Sequence, residues 1–396
     1  MSMLRLAWAY LAARPLLTAL NVAVLAIGVG TMVLLLLFTG QAEERLARDA
    51  SPVDLVVGAK GSPLQLILSS VLQVDVPTGN ISYAEARKLA ANPMVASATP
   101  ISLGDTFRGH RIVGSDASYL ALYGARVAQG RVFAQPMEAV LGAEVARRTS
   151  VGTGAQLVGS HGLGATGASH EGHAYRVVGV LAPTGTVSDR LVITPLESVW
   201  EVHEEHHEAK PARAAGDREI TALLVKYRTP LAAALLPRQV NATTSMQAAA
   251  PAYEMARLMN LVGVGVDVLR LFAMVLMATA AISMFVALMA ALQERRYDLA
   301  LLRTLGAHPA TLFTLVAAEG VTLVVAGVIL GLVLGHAAAG VLGSWIARSN
   351  AWGITGFAWQ PAEGWVALAV LAAGAATCLI PASQAYRRDP AILLKR

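Results

Sequence analysis

Four long apolar runs constrain this chain more than any other feature: residues 16–38, 271–292, 310–346 and 365–385. Crossing about 30 Å of hydrocarbon takes roughly 20 helical residues, and each run meets that length. The composition agrees, being 55% hydrophobic and only 14% charged, where a soluble chain carries about a quarter charged residues. Soluble and disordered classes are therefore excluded. The single cysteine, Cys378, sits inside an apolar run, which rules out an intrachain disulfide framework and a cysteine-based metal cluster. The first run is long, with no small-residue cleavage site before Gln41, so it reads as a retained anchor rather than a cleaved signal.

Charge then orients the runs. Between Gln41 and Asn260 about 20 basic residues are balanced by about 20 acidic ones, so the net +5 belongs to the membrane part. Its basic residues gather at Arg5, Arg14, Arg295, Arg296, Arg303, Arg387, Arg388, Lys395 and Arg396. With four spans these positions share one face, and the positive-inside rule makes that face cytoplasmic. No nucleic-acid partner is needed to explain the basic excess. The expected fold is four transmembrane α-helices with a large α+β extracytoplasmic domain between helices 1 and 2, both termini being cytoplasmic. The expected divisions are 1–40 (amphipathic N-terminus and first span), 41–260 (external domain), 261–292 (second span), 293–309 (cytoplasmic helix), 310–346 (third span), 347–362 (external loop), 363–386 (fourth span) and 387–396 (tail).

Within the external segment, residues 54–57, 111–114, 175–181, 190–193 and 219–227 read as strands bounded by Gly and Pro. Ser82 with Glu85, and Thr194 with Glu197 and Pro195, read as helix starts. About 220 residues suffice for a real core, expected in two lobes. The glycine-rich stretch 152–172 reads as a mobile loop, and Gly58-Ala-Lys-Gly-Ser-Pro63 as a turn after a strand rather than a phosphate loop. Segments 41–49 and 253–270 keep helical composition beyond the bilayer and are expected to form a two-helix stalk.

In the third span Gly327, Gly331, Gly335, Ala339 and Gly343 recur every four residues. Such a stripe lines one helix face and lets another backbone approach closely, so it is the candidate packing face. Glu319 and His336 share that span. Ionisable groups in lipid are functional candidates by default, and for Glu319 a capping or hydrogen-bonding role toward a neighbouring helix is the expectation.

The most specific segment lies between the second and third spans: Glu294-Arg-Arg-Tyr-Asp-Leu-Ala-Leu-Leu-Arg-Thr-Leu-Gly-Ala-His308. With it go residues 4–30, Val177-Val-Gly-Val-Leu181 and the ending Pro381-Ala-x-x-Ala-x-Arg-x-Asp-Pro390. On these residues the chain resembles the MacB/FtsX/LolC-type permease family of ABC transporters over nearly its whole length. The resemblance implies a coupling helix that docks on an ATPase, falling here on Glu294, Arg295, Arg296, Asp298, Leu302, Arg303 and Leu305. Asp298 stands where the family more often has Glu. No G-x-x-x-x-G-K-[ST] occurs anywhere in the chain, so ATP is expected to be bound by a partner, a separate ABC ATPase in two copies. The resemblance further implies a second permease chain, as homodimer or heterodimer, an inner-membrane location, a non-catalytic permease role, and in some members a periplasmic partner.

Six of nine histidines fall in two external patches: His161, His170 and His173, and His203, His206 and His207 within Glu201-Val-His-Glu-Glu-His-His-Glu208. Spacings of three and four put the second patch on one helical face, as Zn²⁺ ligation needs. His203-Glu204-x-x-His207 also matches the metalloprotease pattern, but its flank runs into the polar stretch 210–218 with no third ligand in view, so catalysis is not the expected use. Zn²⁺ binding by His203, His206 and His207 with His170 and His173, and a solvated His/Glu-rich insertion, stand as two readings. The expected function is export or outer-leaflet extraction of a hydrophobic, lipidated or peptide-like substrate by mechanotransmission. The alternatives are a non-transporting regulator of an envelope enzyme and a metal-linked envelope transport system.

Overall fold

The computed structural model describes residues 3–160, 169–204, 218–294, 297, 301, 304–348 and 353–387. The chain divides into two compact units, with boundaries between Ala42 and Glu43 and between Leu261 and Val262.

The membrane unit is helical. A short helix, α1 (Met3–Ala12), precedes α2 (Pro15–Ala50), which opens on Pro15 with its preset φ. In the external segment lie α3 (Pro63–Ser70), α4 (Tyr83–Ala90), α5 (Ala117–Leu122), α6 (Ala143–Thr149), α7 (Leu196–Glu204) and α8 (Pro230–Thr243). After them come α9 (Pro251–Glu294), α10 (Pro309–Arg348) and α11 (Pro361–Arg387). Among the described residues four helices, α2, α9, α10 and α11, are long and apolar enough to cross a membrane. They are not equivalent. Half of the most apolar stretch of α2 and 44% of that of α10 are buried, against 22% for α9 and for α11. The first pair is central and the second faces outward, with Phe272, Val275, Ile282, Leu368 and Leu379 exposed.

The second unit is built on one ten-stranded sheet in the order β12-β1-β11-β3-β4-β9-β6-β8-β5, with β7 pairing β3 and β8 off that path. Its strands are β1 (Leu55–Ala59), β3 (Val95–Phe107), β4 (His110–Ser115), β5 (Val127–Gly130), β6 (Glu138–Leu141), β7 (Gln156–Ser160), β8 (Ser169–Leu181), β9 (Val192–Pro195), β11 (Ala222–Tyr227) and β12 (Met246–Ala249). A small ladder joins β2 (Ile81–Ser82) to β10 (Glu219–Ile220). Among the described residues only the β4–β9 and β6–β8 pairs are parallel. Two apolar cores form on this sheet. One gathers Leu55, Val57, Trp200, Leu223 and Leu236 under α4, α7 and α8; the other gathers Phe107, Ile112, Leu141, Leu157 and Tyr175. The two-lobe expectation thus becomes one continuous sheet with two cores.

Other local expectations meet a similar mix. Ser82 caps α4, its hydroxyl accepting from the Glu85 N–H. Thr194 caps nothing: β9 runs on through Pro195 beside β4, and the Thr194 hydroxyl donates to the Glu138 carbonyl at 2.8 Å, so α7 begins at Leu196. The run 219–227 is cut at Thr221, whose hydroxyl accepts from Leu103 N–H and donates to Asn80 Oδ1, and the two pieces join different sheets. The two ends of the glycine-rich stretch are strand rather than loop, since Val158 pairs with Ala174 and Ser160 with Ser169 across β7 and β8, and its middle, 161–168, lies outside the described residues. After β1 the chain does turn, into α3 capped by Ser62.

Candidate functional site

The packing of α2 on α10 follows from side-chain size. Leu25, Val29 and Val33 lie four apart on α2, and Gly327, Gly331 and Gly335 four apart on α10. A Cβ on Gly327 would stand 2.7 Å from Leu25 Cδ2, one on Gly331 2.6 Å from Val29 Cβ, and one on Gly335 2.7 Å from Val33 Cβ. Each apolar side chain therefore fills the space a glycine leaves, and the reciprocal glycine, Gly30, lies against the Gly331 carbonyl. Gly343 departs from this seam: it packs against the Ile354 carbonyl in the α10–α11 connection. Ala339 between them is fully buried.

Between the four spans lies an apolar cavity of about 370 Å³, lined by four methionines, Met32, Met274, Met277 and Met284, with Asn21 as its polar side chain. The Asn21 Nδ2 donates to the Leu17 carbonyl at 2.9 Å, and its buried Oδ1 has no hydrogen-bond partner among the described residues. Glu319 is buried and lines a narrower pocket with Tyr10, Arg14, Thr18 and Asn21.

The coupling-type segment lies mostly outside the described residues, which leave out Arg295, Arg296, Asp298, Leu302 and Arg303. Its ends are described. Glu294 closes α9 and forms an ion pair with Arg14, the residue that precedes α2. Tyr297, Leu301 and Leu305 are exposed. At the other end of α2, the buried Asp49 pairs with Arg190 at 3.1 Å, just ahead of β9. The Arg190 carbonyl is held by His110 Nδ1 at 3.1 Å, and burial pushes that imidazole below its ordinary range. Neither ion pair was expected from sequence: 280 and 141 positions separate the partners, and nothing local marks them.

A polar cluster sequence reasoning noted only through His336 forms at the α10–α11 connection. Its Nδ1 lies 2.7 Å from the Gly356 carbonyl and its Nε2 2.8 Å from Glu363 Oε2. Gln41, near where α2 leaves the membrane unit, accepts from Thr355 N–H and donates to the Thr355 carbonyl, both at 2.9 Å.

Of the histidine candidates, His203 lies on α7 and His170 and His173 on β8, while His161, His206 and His207 lie outside the described residues. Among the described residues no three His, Cys, Asp or Glu side chains converge as a metal site.

Two family models match. Residues 18–243 match the MacB-like periplasmic core domain, covering more than half the chain, and residues 270–390 match the FtsX-like permease C-terminal model. The second match contains the 294–308 segment and the Pro381 to Pro390 ending. Among solved structures, the periplasmic region of MacB from Actinobacillus actinomycetemcomitans is 12% identical, with a TM-score of 0.36, over 54% of this chain and 98% of that one. The extracellular domain of the noncanonic ABC-type transporter YknZ from Gram-positive bacteria is 12% identical, with a TM-score of 0.31, over 50% of this chain and 98% of that one. No curated protein matches. A four-span membrane unit with a periplasmic core domain inserted after the first span, matched by both family models in that order, places the chain in the MacB/FtsX-type permease family of ABC transporters.

Proposed function

We propose that this multi-pass inner-membrane protein is the mechanical subunit through which an ATPase drives export or outer-leaflet extraction of a hydrophobic, lipidated or peptide-like substrate. Permeases of this type work with a separate ABC ATPase. In this reading two ATPase copies and a second permease chain complete the machine, both termini are cytoplasmic, and residues 294–305 receive the push.

One observation carries the reading: α2 is an unbroken helix held by an ion pair at each end. Arg14 links its start to Glu294 at the head of the coupling segment, and Asp49 links its end to Arg190 beside the domain's central strands. Between them the seam with α10 resists sliding, because three side chains sit in glycine gaps. A displacement of residues 294–305 is thereby passed to α2 by the pair with Arg14 and by α10. Packed side chains, ion pairs and rigid helices are the elements that carry coupling of this kind.

The test uses the full chain reconstituted with its ATPase. The chain alone should hydrolyse no ATP. Charge reversal at Arg296 or Arg303 together with Asp298 should abolish the permease's effect on ATPase rate while leaving the melting curve unchanged. Retained coupling in those variants would remove the assignment of the segment.

A further inference from the structure

The contacts of His336 count protons. Its Nδ1 faces the Gly356 carbonyl, which can only accept, so Nδ1 carries a hydrogen. Its Nε2 faces Glu363 Oε2 at 2.8 Å. A neutral imidazole with its hydrogen on Nδ1 presents a lone pair at Nε2, and an ionised carboxylate presents another at Oε2. Two lone pairs make no hydrogen bond. The contact requires one more proton, on Nε2 as imidazolium beside carboxylate, or on Oε2 as a carboxylic acid donating to a neutral ring. Glu363 Oε1 is already engaged, accepting from the Gln360 N–H at 2.8 Å, which leaves Oε2 as the oxygen that shares the proton.

From these contacts we infer that His336 and Glu363 together form a proton-binding site that latches the α10–α11 connection onto α10. With the proton the pair has no net charge; without it, a single negative charge remains on a side chain that is completely buried. Burying an unpaired charge in a membrane protein is strongly unfavourable, so proton loss and separation of the two side chains go together. Among the described residues the elements around the pair supply no substitute. From α2 comes Gln41, from the connection Gly356, Thr355 and Trp359, and from α11 Glu363, which among the described residues is the one titratable group bonded to His336.

The connection is built to follow the pair. Trp359 stacks on the imidazole at 6.0 Å with an interplanar angle of 8°. Gly356 lies directly against the His336 carbonyl and Gly340 backbone, where any side chain would collide. The same connection holds Gln41 through Thr355, so its release reaches the end of α2 that leads into the periplasmic domain. The histidine is about a quarter exposed, giving the proton a way in and out.

The test uses the full chain in nanodiscs. Nitrogen NMR of the histidine side chains, with the His336 signals assigned by H336Q, reads the ring, and infrared spectroscopy with E363Q as difference sample reads the acid. At pH 7 we expect either both His336 nitrogens protonated or a protonated carboxyl that disappears in E363Q. A neutral His336 beside an ionised Glu363 at that pH overturns the proposal. Hydrogen exchange of 353–360, corrected for intrinsic rate, supplies an independent reading. Protection in the wild type should fall by about tenfold or more between pH 6 and pH 9, as loss of the hydrogen bond that holds the connection entails. In E363Q, whose amide donates to Nε2 without titrating, protection should stay flat. Equal pH dependence in both proteins also overturns the latch.

Discussion

The two ends of α2 use the same chemistry at very different exposure. At Asp49–Arg190 the side chains are 7% and 15% exposed; at Arg14–Glu294 they are 30% and 59% exposed. A buried pair is costly to break because the surviving charge is stranded, whereas a solvated pair contributes little and can re-form with water or another partner. The difference teaches that α2 is held more firmly at its domain end than at the end facing the proposed coupling segment. That asymmetry suits a lever.

The largest expected effect is at the fixed end. Asp49→Ala leaves Arg190 unpaired, and the full chain in detergent should lose roughly 3–5 kcal/mol of stability by chemical denaturation. Replacing both partners, Asp49→Leu with Arg190→Met, should recover most of that loss while abolishing the specific tether. A single-variant loss under about 1 kcal/mol would make the two ends equivalent, and the comparison would fail.

Next comes the middle of the helix. Gly331→Leu would push a side chain into Val29 and should cost about 1–3 kcal/mol or prevent assembly. Gly263 on α9 has open space around it, so Gly263→Ala should be neutral or stabilising by up to about 1 kcal/mol. Equal outcomes at the two glycines would dissolve the distinction between the central pair, α2 and α10, and the outward-facing pair.

These expectations also mark what could be read in the sequence. Length and hydropathy carry the spans, because in lipid a continuous apolar run of about 20 residues satisfies its own backbone as a helix, whereas barrel strands are shorter and alternate. The spacing of Gly327, Gly331 and Gly335 is local to one helix and was legible; the identity of Leu25, Val29 and Val33 as what fills the gaps was not, since it lies some 300 residues away in sequence. Gly343 shows the same limit, because periodicity cannot say where a partner helix ends and a loop takes over. His336 stood out as a polar residue in an apolar run, while nothing in the sequence marked Glu363, which lies in the first turn of α11. Thr194 illustrates a competing force: a good capping residue was claimed by the Glu138 carbonyl across the sheet.

A third ion pair sharpens the comparison through pH. Hydrogen bonds from Arg131, then from the Ala134 N–H, hold the Glu138 carboxyl at about 2, well below its ordinary range. A folded-state value below the unfolded one stabilises above the unfolded value, about 4.3, and that contribution is lost as pH falls toward 2. Arg131→Gln should therefore lessen the acid sensitivity of the domain between about pH 4.3 and 2 while lowering stability at pH 7. Acid denaturation profiles of the two full-length proteins check it; parallel profiles would show that Arg131, which is half exposed, does not hold the carboxyl.

The smallest effect on stability is expected at the clutched end, and there stability and function should part. Arg14→Gln and Glu294→Gln should each change the melting free energy by no more than about 1 kcal/mol, since both groups reach water. In the proposed mechanism their effect on coupling should be larger, because the pair joins the head of the proposed coupling segment to the helix proposed to carry motion onward. ATPase stimulation in the reconstituted complex should drop in either single variant, and the exchange Arg14→Glu with Glu294→Arg should restore it. Raising salt should weaken coupling in the wild type, as screening acts on exposed pairs, and leave the Gln variants unchanged. If both single variants couple normally, α2 receives its displacement through the glycine seam alone, and the exposed ion pair is only a surface contact.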